Sequence, residues 1–488
     1  MIRAHTVAQV RAAEDRVRAG LPPGALLQRA ATALAVGCAE RLGRVYGSRV
    51  LLLVGSGDNG ADALHAGARL ARRGAVVSAV LTGEPVADAL AALRTAGGRV
   101  VDAPVPADLV VDGLVGIGSR GALRPAAAAL AAQVAGHDVV AVDLPSGVDA
   151  DTGEVAGAVV RADLTLVFGT CKPGLLVGAG RAAAGRVELV DIGLGPELPP
   201  APVEQLQDAD AAGLLPRGSA ASDKYTRGVL GVVAGSQTYP GAAVLCVGAA
   251  ATAGAGMVRF AGAPHPAEQV RLRWPEVVVT DLEGADVVTA GRVQAWVVGP
   301  GLGTDETAAA AVEAVLAQDV PVLVDADALT VCARHPEWLR RRSAPTLLTP
   351  HDREFERFGE PVTADRVGSA RRLAADLGVT VLLKGDATVV VGPDGPARVN
   401  GTGSPALATA GSGDVLSGGC GALLAQGLEP LDAGSVGAHL HGRAGGLAAR
   451  GASVPASALV GAWADAVRRA GGPPDRRLPH WHAMRTSP

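Results

Sequence analysis

The sequence of 488 residues is poor in features that mark several classes of protein. Its five cysteines are scattered, and no two have the CxxC spacing of a structural zinc site or a redox motif. Their odd number argues against a disulfide framework, and the pattern is typical of a reducing cytoplasm. The first twenty residues contain Glu14 and Asp15 and have no apolar run, so we expect no secretory signal there.

Basic stretches and long hydrophobic runs are also scarce. The net charge is −4, and no basic block is long enough to follow a nucleic-acid backbone, so we expect no nucleic-acid partner. The alanine-rich run 126–136 is interrupted by Gln133 and Gly136, which favours a packed helix over a membrane span. The length and the balanced composition instead predict a globular protein of two or three domains.

Short Val- and Leu-rich runs alternate with alanine-rich stretches in both halves of the chain. Continuous apolar runs between helices are typical of parallel strands covered on both faces, which predicts an α/β fold with two doubly wound domains. The predicted strands lie within residues 49–55, 108–114, 138–145, 164–169, 229–236, 295–301, 320–329 and 379–386. The proline-rich stretch 193–216 interrupts the alternation, so we predict domains at 1–203 and 216–488 with a linker at 204–215.

Ligands of such sheets bind outside the carboxyl ends of the strands, and one glycine turn of the second half is a candidate phosphate site. Gly411 and Gly413 allow close backbone approach to a phosphate, and the helix that follows adds its positive dipole end. Asp414 is then either a base for a hydroxyl that attacks phosphorus or a plain helix cap. His351 and Lys384 at other strand ends favour the phosphate site, although single residues of these types are commonly structural or surface groups.

The motifs of the second half occur in a characteristic order. They read "DKYTRGVLGVVAGSQTYPGAAVL", "GPGLG", "VDADAL", "LTPHDREF", "LLKGDATVVV" and "NGTGSPALATAGSGDVLSGG". In this order they resemble the ADP-dependent NAD(P)H-hydrate dehydratases, a family with the ribokinase-like fold. The resemblance implies NADHX or NADPHX as substrate, in which water has added to the nicotinamide ring. It also implies ADP, which leaves AMP and phosphate, and a magnesium ion for the phosphoryl transfer.

The resemblance further implies roles for individual residues of the second half. Asp414 would take the proton of the carbon-6 hydroxyl as that oxygen accepts the terminal phosphoryl group of ADP, because phosphate leaves more readily than hydroxide. The residues implied for the AMP portion are Lys384, Gly385, Asp386, Ala387, Thr388 and Gly413. Ala242, Gly301 and His351 would line the hydrated dinucleotide. The alternative is a small-molecule kinase of the same superfamily, joined to a non-catalytic binding module.

Three strand ends of the first half carry an acid followed by glycine or serine. Each acid alone could be a loop cap, but the segments "SGDNGADA", "DGLVGIGSRG", "AVDLPSGVDADTG" and "VFGTCKPG" together resemble the NAD(P)H-hydrate epimerases. That family implies a Rossmann-like three-layer sandwich, a potassium ion and the same hydrated dinucleotides. An epimerase on this chain would supply the S form to a stereospecific dehydratase.

The epimerase resemblance also implies site residues. Asn59, Asp112 and Ser146 would be the potassium ligands, and Asp143 would be the acid or base that helps the carbon-6 hydroxyl invert. The implied substrate contacts are Asp58, Asn59, Gly60, Ala61, Asp62, Gly116, Ile117, Gly118, Ser119, Arg120, Gly121, Ala122 and Asp143. Lys172 is either a partner for an anion or carboxylate, or a surface lysine. Relatives of both families commonly assemble, so we expect a homo-oligomer.

One turn of the first half departs from the epimerase pattern. Relatives usually read NNGGDG where this chain has "DNGADA" at 58–63. Asp58 adds a negative charge near a phosphate-binding turn, and Ala61 and Ala63 add methyl groups where the backbone should approach the ligand. We therefore predict weakened epimerase activity.

Overall fold

The computed structural model of the chain describes residues 1–216, 223–471 and 483–485. Its described residues form two compact units. The N-terminal unit contains residues 3–203 and strand 483–485, and the C-terminal unit contains Met1–Ile2 and residues 204–471. A search of the described helices finds none with the length and apolar character to cross a membrane. All five cysteines are buried and free of disulfide bonds.

The first part of the chain alternates strands and helices. Its strands are β1 (Ile2–Ala4), β2 (Arg49–Val54), β3 (Val76–Leu81), β4 (Arg99–Val100), β5 (Leu109–Gly113), β6 (Val139–Val142), β7 (Leu164–Phe168) and β8 (Arg186–Asp191). Its helices are α1 (Val7–Ala19), α2 (Ala25–Leu42), α3 (Asp58–Arg72), α4 (Ala87–Thr95), α5 (Pro125–Gln133) and α6 (Gly178–Ala184). The predicted packed helix at 126–136 corresponds to α5.

The second part has the same character. Its strands are β9 (Val203–Gln205), β10 (Val229–Val233), β11 (Met257–Gly262), β12 (Val278–Asp281), β13 (Ala295–Val298), β14 (Val322–Val324), β15 (Thr346–Leu348), β16 (Thr380–Leu383), β17 (Val389–Val391), β18 (Ala397–Val399) and β19 (Ala483–Arg485). Its helices are α7 (Asp208–Leu214), α8 (Pro240–Thr252), α9 (Pro264–Arg273), α10 (Glu306–Leu316), α11 (Asp327–Arg334), α12 (Pro336–Arg340), α13 (Asp352–Phe355), α14 (Arg366–Leu377), α15 (Ser412–Ala425), α16 (Pro430–Ala449) and α17 (Ala456–Ala470).

The N-terminal unit is built on an eight-stranded sheet. The strand order is β19-β8-β7-β6-β5-β2-β3-β4, and the pairs are parallel. All residues of β5, β6 and β7 are buried, as expected for a sheet covered on both faces. The chain turns back between the neighbouring strands β2 and β5, which creates a crevice at their carboxyl ends.

The C-terminal unit contains the larger sheet. Its order is β1-β9-β18-β17-β16-β15-β14-β13-β10-β11-β12, with parallel pairs from β12 to β16 and antiparallel pairs from β16 to β18. The corresponding crevice lies between β10 and β13. All eight predicted strands and the doubly wound α/β architecture are confirmed.

The segment that the sequence predicts as a linker is structured. It contains the end of β9 and helix α7, which begins with a capping box formed by Gln207 and Asp210. Asp208 accepts hydrogen bonds from His439 at 2.7 Å and from the guanidinium group of Arg443. These charged contacts attach the segment to α16 of the C-terminal unit.

Candidate functional site

The crevice of the N-terminal unit contains a cavity of about 1330 Å³. Residues that follow β2 and β5 line it together with side chains from α1 and α2, so it lies where a doubly wound sheet binds its ligands. The predicted substrate contacts that line this cavity are Asp58, Asn59, Asp62, Gly116, Ile117, Gly118, Ser119, Arg120, Ala122 and Asp143. Gly60, Ala61 and Gly121 are not part of the lining.

The two alanines of the "DNGADA" turn do not crowd this cavity. Ala61 and Ala63 are buried in the hydrophobic core, and neither lines the cavity. Ala63 packs against Gly113, where an added Cβ would lie 2.9 Å from the alanine methyl group. The sequence prediction that these methyl groups obstruct the ligand is therefore wrong. Asp58, in contrast, is exposed at the cavity, so its extra charge does face the ligand space.

The three predicted potassium ligands lie together beside the cavity. Asp112 is fully buried and accepts hydrogen bonds at 2.7 Å from both the hydroxyl and the amide of Ser146. The Asn59 side chain donates to the carbonyls of Val142 and Val115, at 2.6 and 3.2 Å. Burial raises the pKa of Asp112, and in the described chain no cationic side chain forms an ion pair with it. A buried carboxylate with amide and hydroxyl oxygens nearby fits a hard monovalent cation.

Asp143 occupies a strained turn and is paired with a buried lysine. Its φ is 67°, in the left-handed region, and the turn is closed by a 2.8 Å hydrogen bond from Leu144 N to Val142 O. The Nζ of Lys172 donates to Asp143 Oδ1 and, at 3.2 Å, to Phe168 O. Lys172 is 1% exposed and pairs with Asp143, so it is the cationic partner of the Asp143 carboxylate rather than a surface lysine.

Three acids of this cavity, Glu14, Asp15 and Glu84, are absent from the predicted site residues. Glu14 lies on α1, lines the cavity and pairs with Arg18 at 3.0 Å. Burial raises its pKa, and the charges of Asp143 and Asp58 add to that rise against the opposing charges of Arg18 and Lys172. The sequence of α1 is an ordinary helical pattern, so only the tertiary structure reveals that Glu14 faces the site.

In the C-terminal unit, Asp414 lies in the first turn of α15. The N-cap of this helix is Gly411, whose φ of 85° requires the left-handed region, so the interpretation of Asp414 as the cap is wrong. Burial raises the pKa of Asp414 to about 7, with further contributions from the negative charges of Asp325 and Asp327 and an opposing one from Lys384. Asp414 is therefore poised to exchange a proton near neutral pH.

Lys384 follows β16, and its side chain reaches the first turn of α15. Its Nζ is 2.9 Å from Asp325 Oδ1 and 3.5 Å from Glu354 Oε2. A Cβ added at Gly413 would lie 3.6 Å from this ammonium group, so the cation is beside the start of α15. Burial opposes the charge of Lys384, yet the two carboxylates hold its pKa above the usual value. The interpretation of Lys384 as a plain surface cation is wrong.

Two neighbours complete this cluster, and both come from motifs whose roles the sequence did not resolve. Asp325, directly after β14, is 1% exposed and also accepts a 2.7 Å hydrogen bond from Ser417 of α15. Glu354 accepts a 2.9 Å hydrogen bond from the amide of His351. The Nδ1 atom of His351 in turn accepts from the amide of Glu354 and caps α13, while its ring remains half exposed.

The other predicted contacts of this half lie on the surrounding loops. Gly301, with a φ of 62°, follows β13, and an added Cβ there would lie 2.8 Å from the methyl group of Ala242 at the start of α8. In the predicted AMP segment, Gly385 and Asp386 are exposed whereas Ala387 and Thr388 are buried. The structure thus brings Lys384, Gly413 and Asp414 together, and it pairs Gly301 with Ala242.

In comparisons with known proteins, each half of the chain matches a protein family. Residues 23–174 match the family described as YjeF-related protein N-terminus, and residues 230–462 match the family described as NAD(P)H-hydrate dehydratase. The bifunctional NAD(P)H-hydrate repair enzyme Nnr of Mycobacterium leprae (strain TN) is 51% identical over 455 residues, which are 91% of this chain and 94% of that protein. The enzyme of the same name from Mycobacterium tuberculosis is 52% identical over 439 residues, or 88% and 90% of the two chains.

Among solved structures, the ADP/ATP-dependent NAD(P)H-hydrate dehydratase from Bacillus subtilis, co-crystallized with ATP/Mg2+, is 29% identical. The likeness covers 54% of this chain and 97% of that chain, with a TM-score of 0.48. The identity with the two mycobacterial proteins runs through both units and nearly the full length of each relative. The chain belongs to the family of bifunctional NAD(P)H-hydrate repair enzymes.

Proposed function

We propose that this chain repairs hydrated NADH and NADPH in two steps. The epimerase domain, residues 1–203, interconverts the R and S forms of NADHX and NADPHX. The dehydratase domain, residues 216–488, converts the S form to NADH or NADPH with ADP, and releases AMP and phosphate. The family and the two strand-end sites, one in each unit, support this assignment.

The observation that carries the dehydratase assignment is the position of Asp414. Its carboxyl group has a pKa of about 7 and lies in the first turn of α15, beside the ammonium group of Lys384. A base of this strength can take the proton of the carbon-6 hydroxyl while the helix N-terminus and the lysine bind the phosphates of ADP. The phosphorylated oxygen then leaves as phosphate, expelled by the ring nitrogen lone pair, and loss of a neighbouring proton restores the dihydropyridine ring.

Around this base we assign separate groups of residues to the nucleotide and to the substrate. Residues 384–388 and Gly413 would hold the AMP portion, and Ala242, Gly301 and His351 would line the hydrated dinucleotide. Magnesium, when bound, supplies positive charge to the transferring phosphoryl group. Asp327, whose charge contributes to the raised pKa of Asp414, would supply an oxygen donor to this ion, and the nucleotide phosphates would supply the others.

For the epimerase step we assign proton transfer at carbon 6 to Asp143. The ion pair with Lys172 and the hydrogen bond from Phe168 N both engage Oδ1, so the carboxylate is held in one orientation at the cavity. Asn59, Asp112 and Ser146 would hold potassium. When bound, this ion supplies a positive charge that offsets the buried Asp112 carboxylate next to the substrate.

Two further assignments concern the whole protein. We infer a cytoplasmic location, which is supported by five buried cysteines that remain unpaired. We also expect a homo-oligomer in solution, which light scattering of the purified full chain measures directly.

The test of the proposed function is an optical assay with purified S-NADHX and R-NADHX. The full chain with ADP is expected to regenerate the dihydronicotinamide absorbance from both epimers, with AMP as a product. Asp143→Ala is expected to abolish recovery from the R form and to leave recovery from the S form intact. A stable phosphorylated product without recovered NADH would instead identify a small-molecule kinase, and unchanged use of the R form by Asp143→Ala would refute the epimerase assignment.

A further inference from the structure

Two carboxyl groups of the N-terminal cavity lie in opposite electrostatic surroundings. Asp143 is paired with the buried ammonium group of Lys172. Asp62, one turn into α3, lines the same cavity, and within the described chain no cationic side chain forms an ion pair with it. Carboxyl groups that share a site but differ in their charge partners commonly divide the roles of acid and base between them.

Asp143 is held in place by hydrogen bonds and by an ion pair with Lys172. Lys172 and Phe168 N both donate to Oδ1, and the strained backbone at φ 67° fixes where the carboxylate stands. Because both partners are buried, the ammonium group of Lys172 compensates the negative charge of Asp143 inside the unit. A carboxylate held in this way is positioned to accept a proton from substrate.

The surroundings of Asp62 favour the protonated form. The residue is 6% exposed, and its Oδ1 atom has no hydrogen-bond partner among the described residues. Burial raises its pKa well above the ordinary value, and the charges that face it from the neighbouring elements, Asp143, Asp58 and Glu14, are all negative. A buried carboxyl oxygen without a partner is costly unless a ligand satisfies it, which points to a hydrogen bond made only when substrate is bound.

We propose that Asp62 is the proton donor, and Asp143 the proton acceptor, in the epimerisation of the hydrated dinucleotide. This inference rests on the epimerase activity proposed above and adds a second catalytic residue to it. Asp62 hydrogen-bonds to the carbon-6 hydroxyl of the R epimer through its carboxyl proton. Asp143 faces the water that replaces that hydroxyl.

The proton balance of the reaction closes with these two groups and water. Asp62 gives its proton to the carbon-6 hydroxyl, the C6–O bond breaks with its electron pair on the departing water, and the ring nitrogen lone pair forms a C6=N1 double bond. Water then adds to the other face of carbon 6, the double-bond pair returns to nitrogen, and the surplus proton of the added water passes to Asp143. The S-to-R reaction reverses these steps, and proton exchange with solvent resets the pair.

The test compares the full-length wild-type chain with Asp62→Asn, which keeps the shape of the side chain but cannot supply the proton. Interconversion of purified R-NADHX is followed by chromatography without nucleotide, in water enriched in ¹⁸O. We expect Asp62→Asn to lose about 100-fold or more in both the interconversion rate and the enzyme-dependent entry of ¹⁸O at carbon 6. Recovery of NADH from S-NADHX with ADP occurs in the other unit and should remain at the wild-type rate. A thermal melt of the N-terminal unit that matches wild type shows that the variant unit is folded.

Asp102→Asn is the matched control, because Asp102 is an exposed carboxylate of the same unit that lies outside the cavity lining, and its replacement removes the same charge. It should retain interconversion within about threefold of wild type. Interconversion by Asp62→Asn within threefold of wild type would overturn the proposal.

A measurement on the wild-type chain alone gives an independent result. If Asp62 donates its proton to the substrate, the interconversion rate should fall at alkaline pH, where Asp62 loses that proton. A rate that keeps rising to about pH 9 would overturn the proposal. A wild-type chain that regenerates NADH from S-NADHX but never interconverts the epimers would remove the epimerase function itself, and this inference with it.

Discussion

Lys384 Nζ lies 2.9 Å from Asp325 Oδ1 and 3.5 Å from Glu354 Oε2, so one ammonium group serves two buried carboxylates beside Asp414. The three residues follow β16, β14 and β15, which are neighbours in the sheet. The charge at the start of α15 is therefore set by three strand ends together. Because Asp325 raises the pKa of Asp414 and Lys384 lowers it, the lysine links phosphate binding to the strength of the base.

Replacing Lys384 with methionine tests this link. Lys384→Met removes the phosphate-binding cation and leaves Asp325 and Glu354 without their partner, so we expect the KM for ADP to rise about tenfold or more. The pKa of Asp414 should also rise, which moves the onset of dehydration to higher pH. Steady-state rates with S-NADHX across ADP concentration and pH measure both effects. Lys224→Met, at an exposed lysine of the same unit, is the control, and an unchanged KM for ADP in Lys384→Met would contradict the assignment.

The dehydration rate should depend on pH through Asp414 itself. Its pKa of about 7 arises mainly from burial, and the residue acts as a base only as the carboxylate. We therefore expect kcat/KM for S-NADHX to increase about tenfold per pH unit below pH 7 and to level off above it. A profile that is flat from about pH 5 to pH 8 would show that the proton is taken by a different group.

The same carboxyl group should lower the stability of the folded chain at neutral pH. Since its pKa is raised from 3.8 to about 7 in the folded state, its contribution to stability is fully present below pH 3.8 and is lost as pH rises through 7. Asp414→Asn removes this loss. We therefore expect the free energy of unfolding of the C-terminal unit to increase by about 1–3 kcal/mol at pH 8 and to stay unchanged near pH 4. Thermal melts of both proteins at the two pH values measure the difference in stability. An equal increase in stability at both pH values would show that it does not arise from the ionisation of Asp414.

At the other cavity, Asp58 should weaken substrate binding through its charge. The side chain is exposed at the turn, so Asp58→Asn removes a negative charge from the region assigned to the dinucleotide phosphates. We expect the epimerase KM to fall about two- to tenfold at low ionic strength, with a smaller change in high salt. Asp102→Asn, at an exposed loop position outside the cavity lining, controls for overall charge. A KM that does not respond to Asp58→Asn would show that the charge is of no consequence.

The strands of both sheets were predictable because apolar runs such as residues 49–55 and 295–301 are too short for a buried helix and end at glycine. Short strands such as β4 and β9 were not, since two or three residues carry no periodic signal. Helix α7 was missed for a related reason: a proline-rich neighbourhood conceals a seven-residue helix whose stability comes from the contacts of Asp208 with α16.

At the sites, motif spacing identified the groups on turns but not their partners. The sequence left Lys172 and Lys384 open between surface and buried roles, because the carboxylates that pair with them are distant in the chain. It also attributed obstruction to Ala61, since the direction of a methyl group on α3 depends on which helix face meets the sheet. The acid Glu14 gave no signal, because one carboxylate on an amphipathic helix is ordinarily solvated.

The central claim is that Asp414 turns the carbon-6 hydroxyl into a nucleophile for the phosphoryl group of ADP. The most direct measurement is recovery of NADH absorbance from S-NADHX and ADP by the full chain carrying Asp414→Ala, with epimer interconversion measured in the same sample. We expect the rate of NADH recovery to fall about 100-fold or more, while interconversion of the epimers proceeds at the wild-type rate. Recovery at a rate comparable to wild type would contradict the role of Asp414 as the base.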